Sequence, residues 1–186
     1  MIVRLARASD SGAVAAIYRP IVRGTAISFE IDDVTDQQMA GRIDAAVPSL
    51  PWLVAEDAGA VVGYAYAGPH RARAAYAWSV EVSAYVAATA RRRGVGRRLY
   101  TTLLALLSAQ GYGTALAGIT LPNPASVALH ESLDFVHVGV FRAVGWKDGA
   151  WRDVGWWQRR LVETSAPRPP TPLTDIPDLV TRLRAS

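Results

Sequence analysis

The 186-residue chain contains no cysteine, which excludes disulfides, thiolate-ligated metals and cysteine nucleophiles and leaves the protein indifferent to the redox poise of its surroundings. Histidine is also scarce. His70, His130 and His137 are scattered without ligand-like spacing, so no metal site is expected. No apolar run approaches the ~20 residues that a membrane span requires. The opening, Met1-Ile2-Val3-Arg4-Leu5-Ala6-Arg7, holds no apolar stretch of signal-peptide length. A cytoplasmic protein without a membrane partner is the expectation. Hydrophobic residues make up 51% of the chain and charged residues 19%, with six Trp and seven Tyr, enough apolar area to offset the entropy of ordering in one domain.

The formal net charge is +4, carried almost wholly by arginine. Five of the twenty basic residues fall within Arg91 to Arg98, a concentration that suits one anionic site better than a diffuse duplex-binding face, and no nucleic-acid partner is expected.

Residues 2–8 alternate like a first strand. Ser9 and Asp10 are placed to cap a helix whose Val14, Ile17, Tyr18 and Ile21 recur at helical spacing. Residues 24–34 read as a loop. Thr35-Asp36-Gln37-Gln38 reads as a capping box before Met39, Ile43 and Val47, with Pro48 as the stop. Two apolar runs, 52–56 and 60–67, flank Asp57-Ala58-Gly59 and predict a hairpin. In residues 76–87, Trp78, Val80, Val82, Ala84 and Val86 alternate with Ser79, Glu81, Ser83 and Tyr85, as in a central strand with one polar-bearing face. Val95, Leu99, Leu103 and Leu106/Leu107 mark a helix closed by Gln110-Gly111-Tyr112-Gly113. A strand over 115–121, a helix over 123–133, and strands over 135–144 and 151–161 follow. This order predicts a single α/β domain over residues 1–162, a sheet of mixed direction with helices on both faces. Five of the eleven prolines lie between Pro167 and Pro177, so residues 163–186 are expected to be an extended or disordered tail.

Arg91-Arg92-Arg93-Gly94-Val95-Gly96 stands where the central strand gives way to a helix. Its glycines let backbone approach a ligand, the first helical amides have no intrahelical partner, and the helix dipole adds positive potential there. A phosphate or pyrophosphate would be held at such a turn, with Arg91, Arg97 and Arg98 adding charge-assisted bonds. A solvated basic helix start is the alternative. The segment lacks the Gly-Lys-Ser/Thr ending of a P-loop and the third glycine of the dinucleotide fingerprint.

Residues 91–96 are similar to the Arg/Gln-x-x-Gly-x-Gly/Ala segment of the GNAT superfamily of acetyl-coenzyme A dependent N-acetyltransferases. Ala67-Gly68-Pro69, Tyr76, Trp78-Ser79-Val80-Glu81, Leu99-Tyr100, Leu121-Pro122-Asn123, Ser126-Val127, Leu129-His130-Glu131 and Asp153-Val154-Gly155-Trp156-Trp157-Gln158-Arg159 resemble its phosphinothricin N-acetyltransferase-like subfamily in the same order along the chain. The resemblance implies a GNAT-like, mostly antiparallel sheet with its fourth and fifth strands splayed. It implies acetyl-CoA as cosubstrate, no metal, and a homodimer. Coenzyme contacts are implied at Val82, Tyr85, Val86, Arg91, Arg92, Gly94, Val95, Gly96, Arg97, Asn123 and Ser126. An acceptor pocket is implied at Phe29, Arg71, Arg73, Tyr76 and Tyr85. Two positions depart from the family's pattern: His70, where an aromatic residue is common, and Arg71, where lysine is.

An ammonium has no free lone pair, so acetyl transfer to nitrogen needs a base. Glu81, a lone acid in the central strand, matches the residue that family assigns to this role; on periodicity alone it is equally an exposed strand glutamate. His130 matches a histidine implicated as a second base, or is a packing residue of its helix. No Tyr follows Tyr112, so the departing thiolate is left to His130 or to solvent. The implied acceptor is the α-amine of a small glutamate-like amino acid with a tetrahedral side-chain head. The rival readings are a peptide N-terminus as acceptor, or a non-catalytic acyl-CoA-binding module.

Overall fold

Seven strands form one sheet in the order β1-β2-β3-β4-β5-β7-β6 in a computed structural model that describes residues 1–176. The strands are β1 (Ile2–Leu5), β2 (Trp52–Asp57), β3 (Ala60–Pro69), β4 (Ser79–Val86), β5 (Thr114–Leu121), β6 (Val136–Lys147) and β7 (Ala150–Arg160). The helices are α1 (Ser11–Gly24), α2 (Asp36–Ala46), α3 (Val95–Gln110) and α4 (Pro124–Glu131). Every neighbouring pair is antiparallel except β4–β5. That parallel pair needs a crossover, and α3 supplies it.

Alternation along the strands splits the core in two. Val80 and Val82 of β4 share one apolar cluster with Leu99, Leu103, Leu106 and Leu107 of α3, and Leu129 of α4 packs against it. On the other face Trp52, Val54 and Tyr64 meet Val14, Ile17 and Tyr18 of α1 and Met39 and Ile43 of α2. The β4–β5 ladder consists of Ser79–Thr114, Val80–Ala115 and Glu81–Leu116. Both strands continue past it, to Val86 and Leu121, so they part beyond Glu81, the splay that the resemblance implied.

The capping box at Thr35 forms as expected, Thr35 Oγ1 accepting from Gln38 N and Gln38 Oε1 from Thr35 N. Several details differ, among them β6, which runs on to Lys147 rather than ending at residue 144. The first strand stops at Leu5 and residues 8–10 make a 3₁₀ turn. Asp10 precedes α1, but its side chain does not cap it; the bidentate Arg4 guanidinium, at 2.8 Å to each oxygen, and the Arg7 amide take the carboxylate instead. The central strand begins at Ser79 because residues 74–76 form a 3₁₀ turn.

The described residues after β7 form no strand or α-helix and lie against the body. The Trp78 indole donates to Arg168 O, Gln110 Nε2 donates to Ser49 O and Thr171 O, and the Leu173 side chain is buried. The expectation for residues 177–186 lies outside the described residues. Among the described residues no helix is long and apolar enough to cross a membrane, and no cluster of His, Asp and Glu is arranged to hold a metal ion.

Candidate active site

The parting of β4 and β5 opens a groove of about 670 Å³. Val82 to Val86 line one wall, Ala117 to Thr120 the other, and the start of α3 and the first turns of α4 close one end. On its β3 side β4 is fully paired, from Pro69–Val80 to Gly63–Val86. Beyond Glu81 its β5 side has no strand partner among the described residues, so main-chain groups face the groove and are available to an extended ligand.

At the α3 end, Gly94 precedes the first helical residue with φ +77°, a left-handed conformation that side chains resist. No side chain caps the α3 amino terminus, so its first-turn N–H groups are free for an anion. Gly96 lines the groove and also meets a packing demand. A Cβ there would lie 3.1 Å from Leu129 Cδ2, so its bareness lets α3 pack on α4. Arg91, Arg92 and Arg97 line the groove. Arg93 turns away to Asp57 at 2.6 Å. Asn123 Oδ1 accepts from Ser126 N and caps α4, with Pro124 at the first helical position, while Asn123 and Ser126 line the groove.

His130 also lines the groove, yet it is 4% exposed and both ring nitrogens are engaged. Nδ1 lies 2.7 Å from Ser126 O, and a carbonyl only accepts, so Nδ1 carries the hydrogen. Nε2 then accepts from the Tyr100 hydroxyl at 2.9 Å. Burial pushes the His130 imidazole below its ordinary value and the Tyr100 phenol above its own. The two form a neutral pair beneath the groove. Tyr100 as partner was not legible in the sequence, because thirty residues separate the two.

Every coenzyme-side candidate, namely Val82, Tyr85, Val86, Arg91, Arg92, Gly94, Val95, Gly96, Arg97, Asn123 and Ser126, lies on this one groove with His130. Glu81 and the candidates Phe29, Arg71, Arg73 and Tyr76 do not line it. Glu81 occupies the last paired position of β4, one residue before the lining begins. Cross-strand pairing puts Glu81, Ser83 and Tyr85 on the face of Gly68, Tyr66 and Tyr64, the face that α1 and α2 cover. Glu81, the one acid of β4, has a partner from just past the far end of β3: Oε1 lies 2.8 Å from His70 Nδ1.

On that face the segment between α1 and α2 is tied down by residues the sequence did not point to. Lys147, the one lysine of the chain, is 6% exposed at the end of β6 and donates to Val22 O, Ser28 O and Glu30 O at 2.6–2.8 Å. Three carbonyls satisfy the three donors of a buried ammonium. Two residues earlier, the Phe29 ring fills the space above Gly145, where a Cβ would lie 2.2 Å from Cε2. The Tyr18 hydroxyl, 2.6 Å from Ser28 Oγ, adds a further anchor, and its ring meets Tyr85 edge-on at 5.0 Å. Burial raises the Tyr18 phenol to about 12. Arg71, Arg73 and Tyr76 are exposed after β3. Of the four tryptophans near the last strands, Trp157 is core, whereas Trp146 and Trp151 meet edge-to-face in the open.

Residues 3–156 match the family model of the acetyltransferase (GNAT) domain. The chain is a GNAT acetyltransferase. It is 42% identical over 174 residues to phosphinothricin N-acetyltransferase of Streptomyces viridochromogenes, covering 94% of this chain and 95% of the relative. It is 34% identical to the L-methionine sulfoximine/L-methionine sulfone acetyltransferase of Salmonella typhimurium, covering 90% and 98%. The crystal structure of a phosphinothricin acetyltransferase from Sinorhizobium meliloti in complex with acetyl-CoA superimposes on this GNAT acetyltransferase with TM-score 0.85 at 37% identity, covering 90% and 91%.

Proposed function

We propose that this acetyltransferase moves an acetyl group from acetyl-CoA to the α-amine of a small glutamate-like amino acid of the phosphinothricin or methionine sulfoximine/sulfone type, detoxifying it. The observation that carries this reading is the parting of β4 and β5 into a groove that ends on the uncapped amino terminus of α3. The names of the relatives support the acceptor class.

Acetyl-CoA supplies the acetyl group as a thioester. The α3 amides from Gly94 to Arg97, with Arg91, Arg92 and Arg97, hold the pyrophosphate, as the free N–H groups and the positive helix end favour. The open edge of β4 from Val82 to Val86 and the Asn123 amide hold the pantetheine arm by strand-like pairing. A main-chain N–H on the same stretch stabilises negative charge on the acetyl oxygen during transfer. Glu81 removes the ammonium proton, so the freed lone pair bonds the acetyl carbon as the carbon–sulfur bond breaks, without an acetyl-enzyme. The proton returned to sulfur comes from the neutral His130–Tyr100 pair or from solvent. Phe29, Arg71, Arg73, Tyr76 and Tyr85 form the acceptor site, the two guanidinium groups meeting its acidic head.

A cytoplasmic location and a homodimer belong to the same reading. The dimer is supported by a run of exposed apolar side chains on β6 and β7, including Val136, Val138, Phe141, Val144, Trp146 and Trp151. Sedimentation equilibrium showing only monomer at micromolar concentration would remove it. The activity is tested by following thiol release from acetyl-CoA with free glutamate analogues, ordinary amino acids and peptides. The reading expects the highest kcat/KM with phosphinothricin-type acceptors. Release with peptides alone would reassign the acceptor.

A further inference from the structure

The strand register explains why Glu81 reaches a histidine. The residue directly opposite Glu81 on β3 is Gly68, which has no side chain, and a Cβ built there would meet nothing within 4 Å. The glutamate is therefore uncovered on its cross-strand side. The diagonal neighbour on the same face is His70, whose amide extends the β3–β4 ladder by donating to Ser79 O at 3.3 Å. The imidazole is edge-on to the rings of Tyr76 and Trp156, with centroids 5.6 and 6.1 Å away. Its side chain is 13% exposed, whereas that of Glu81 is 42% exposed. A carboxylate only accepts, so the 2.8 Å contact from Nδ1 to Oε1 fixes the hydrogen on Nδ1.

We propose that His70 is a positioning residue for the base: it pins Oε1 of Glu81 and so presents the other oxygen, Oε2, to the acceptor amine. The imidazole is the enclosed partner and the carboxylate the accessible one, so the proton passes to Glu81 and His70 acts through it. After the carboxyl group takes the proton at Oε2, the Nδ1–H bond to Oε1 persists and keeps the group in register for the next turnover. The rings of Tyr76 and Trp156 hold the imidazole plane from two sides, one from the turn after β3 and one from β7. Two further titratable groups are set against this pair: Tyr76, whose ring packs on the imidazole, and Tyr66 on β3, whose phenol is raised by burial. Arg71 and Arg73 follow in the exposed segment beyond His70.

Resting on the assignment of Glu81 as the base, the inference is tested by a double-mutant cycle. His70→Phe keeps an aromatic ring between Tyr76 and Trp156 and removes the donor; His70→Asn places an amide N–H near the position of Nδ1. His70→Phe is expected to lower kcat about tenfold, the loss of one hydrogen bond to a charged group, with acetyl-CoA affinity by calorimetry unchanged. The acid limb of its kcat/KM profile moves, and His70→Asn recovers most of the rate. In a Glu81→Gln background His70→Phe costs nothing further, because the residue it orients is gone. If Glu81→Gln is impaired while His70→Phe matches the parent in kcat and pH profile, or if the two losses multiply, the positioning role is overturned and Glu81 stands. If Glu81→Gln retains full turnover, the base assignment falls, and this inference with it.

Discussion

The two faces of the sheet are built by different means. The α3/α4 face offers main-chain groups: the amides of one helix start, the open edge of one strand and an Asn that caps the next helix, all from residues 82–97 and 117–130. The α1/α2 face offers side chains from five separate places: Phe29, His70, Glu81, Lys147 and Trp156. A cosubstrate common to a family is suited to the first construction, since backbone is present whatever the side chains are. An acceptor that differs between relatives is suited to the second, where a few substitutions redraw the pocket without touching the groove.

Variants on the two faces should therefore separate in kinetics. Glu81→Gln has the largest expected effect, a fall in kcat of at least ~100-fold with acetyl-CoA affinity nearly unchanged, read by thiol release and calorimetry. Gly94→Ala keeps the acceptor KM but forces a side chain into φ +77°. That costs about 1–2 kcal/mol, or about tenfold in acetyl-CoA affinity if it is relieved by moving the turn. Lys147→Met tests the opposite face. Three carbonyls lose their donor, the loop carrying Phe29 loosens, and the acceptor KM rises several-fold while the coenzyme KM stays put. A thermal melt should show a loss of about 3 kcal/mol. If Gly94→Ala and Lys147→Met move both KM values together, the division of labour between the faces is wrong.

The smallest effect concerns His130. Its imidazole is held below its ordinary value by burial, so below ~6.5 the unfolded chain binds a proton that the native state refuses. Stability therefore declines as pH falls through that region. Denaturant midpoints measured between pH 7.5 and about 5 should show a shallower decline for His130→Asn than for the parent. Equal slopes would mean that His130 titrates normally in the fold.

Local chemistry was legible where it is local. The capping box at Thr35, the hairpin turn at Ala58-Gly59 and the glycine-started α3 follow from residues within four positions of one another. Asp10 shows where such reading stops: by spacing it is a helix cap, yet a guanidinium from β1 outcompetes the amides of α1. Glu81 shows it again. Alternation placed it on the polar-bearing face of the central strand, but its partner comes from the residue just after β3 and its accessibility from the glycine opposite. Gly96 and Gly145 carry a packing demand that no local pattern shows: a side chain at either would press on Leu129 or on Phe29.

From the amino-acid order alone come the α/β class, the family, the anion-ready turn at residues 91–96 and the acid on the central strand, because each depends on short-range periodicity or on a contiguous motif. Tertiary structure alone decided that Glu81 is the residue at which the β4–β5 ladder ends, that Tyr100 faces His130, and that Lys147 ties down the loop carrying Phe29. These depend on register and on contacts between residues 30 to 125 positions apart, which no local pattern encodes.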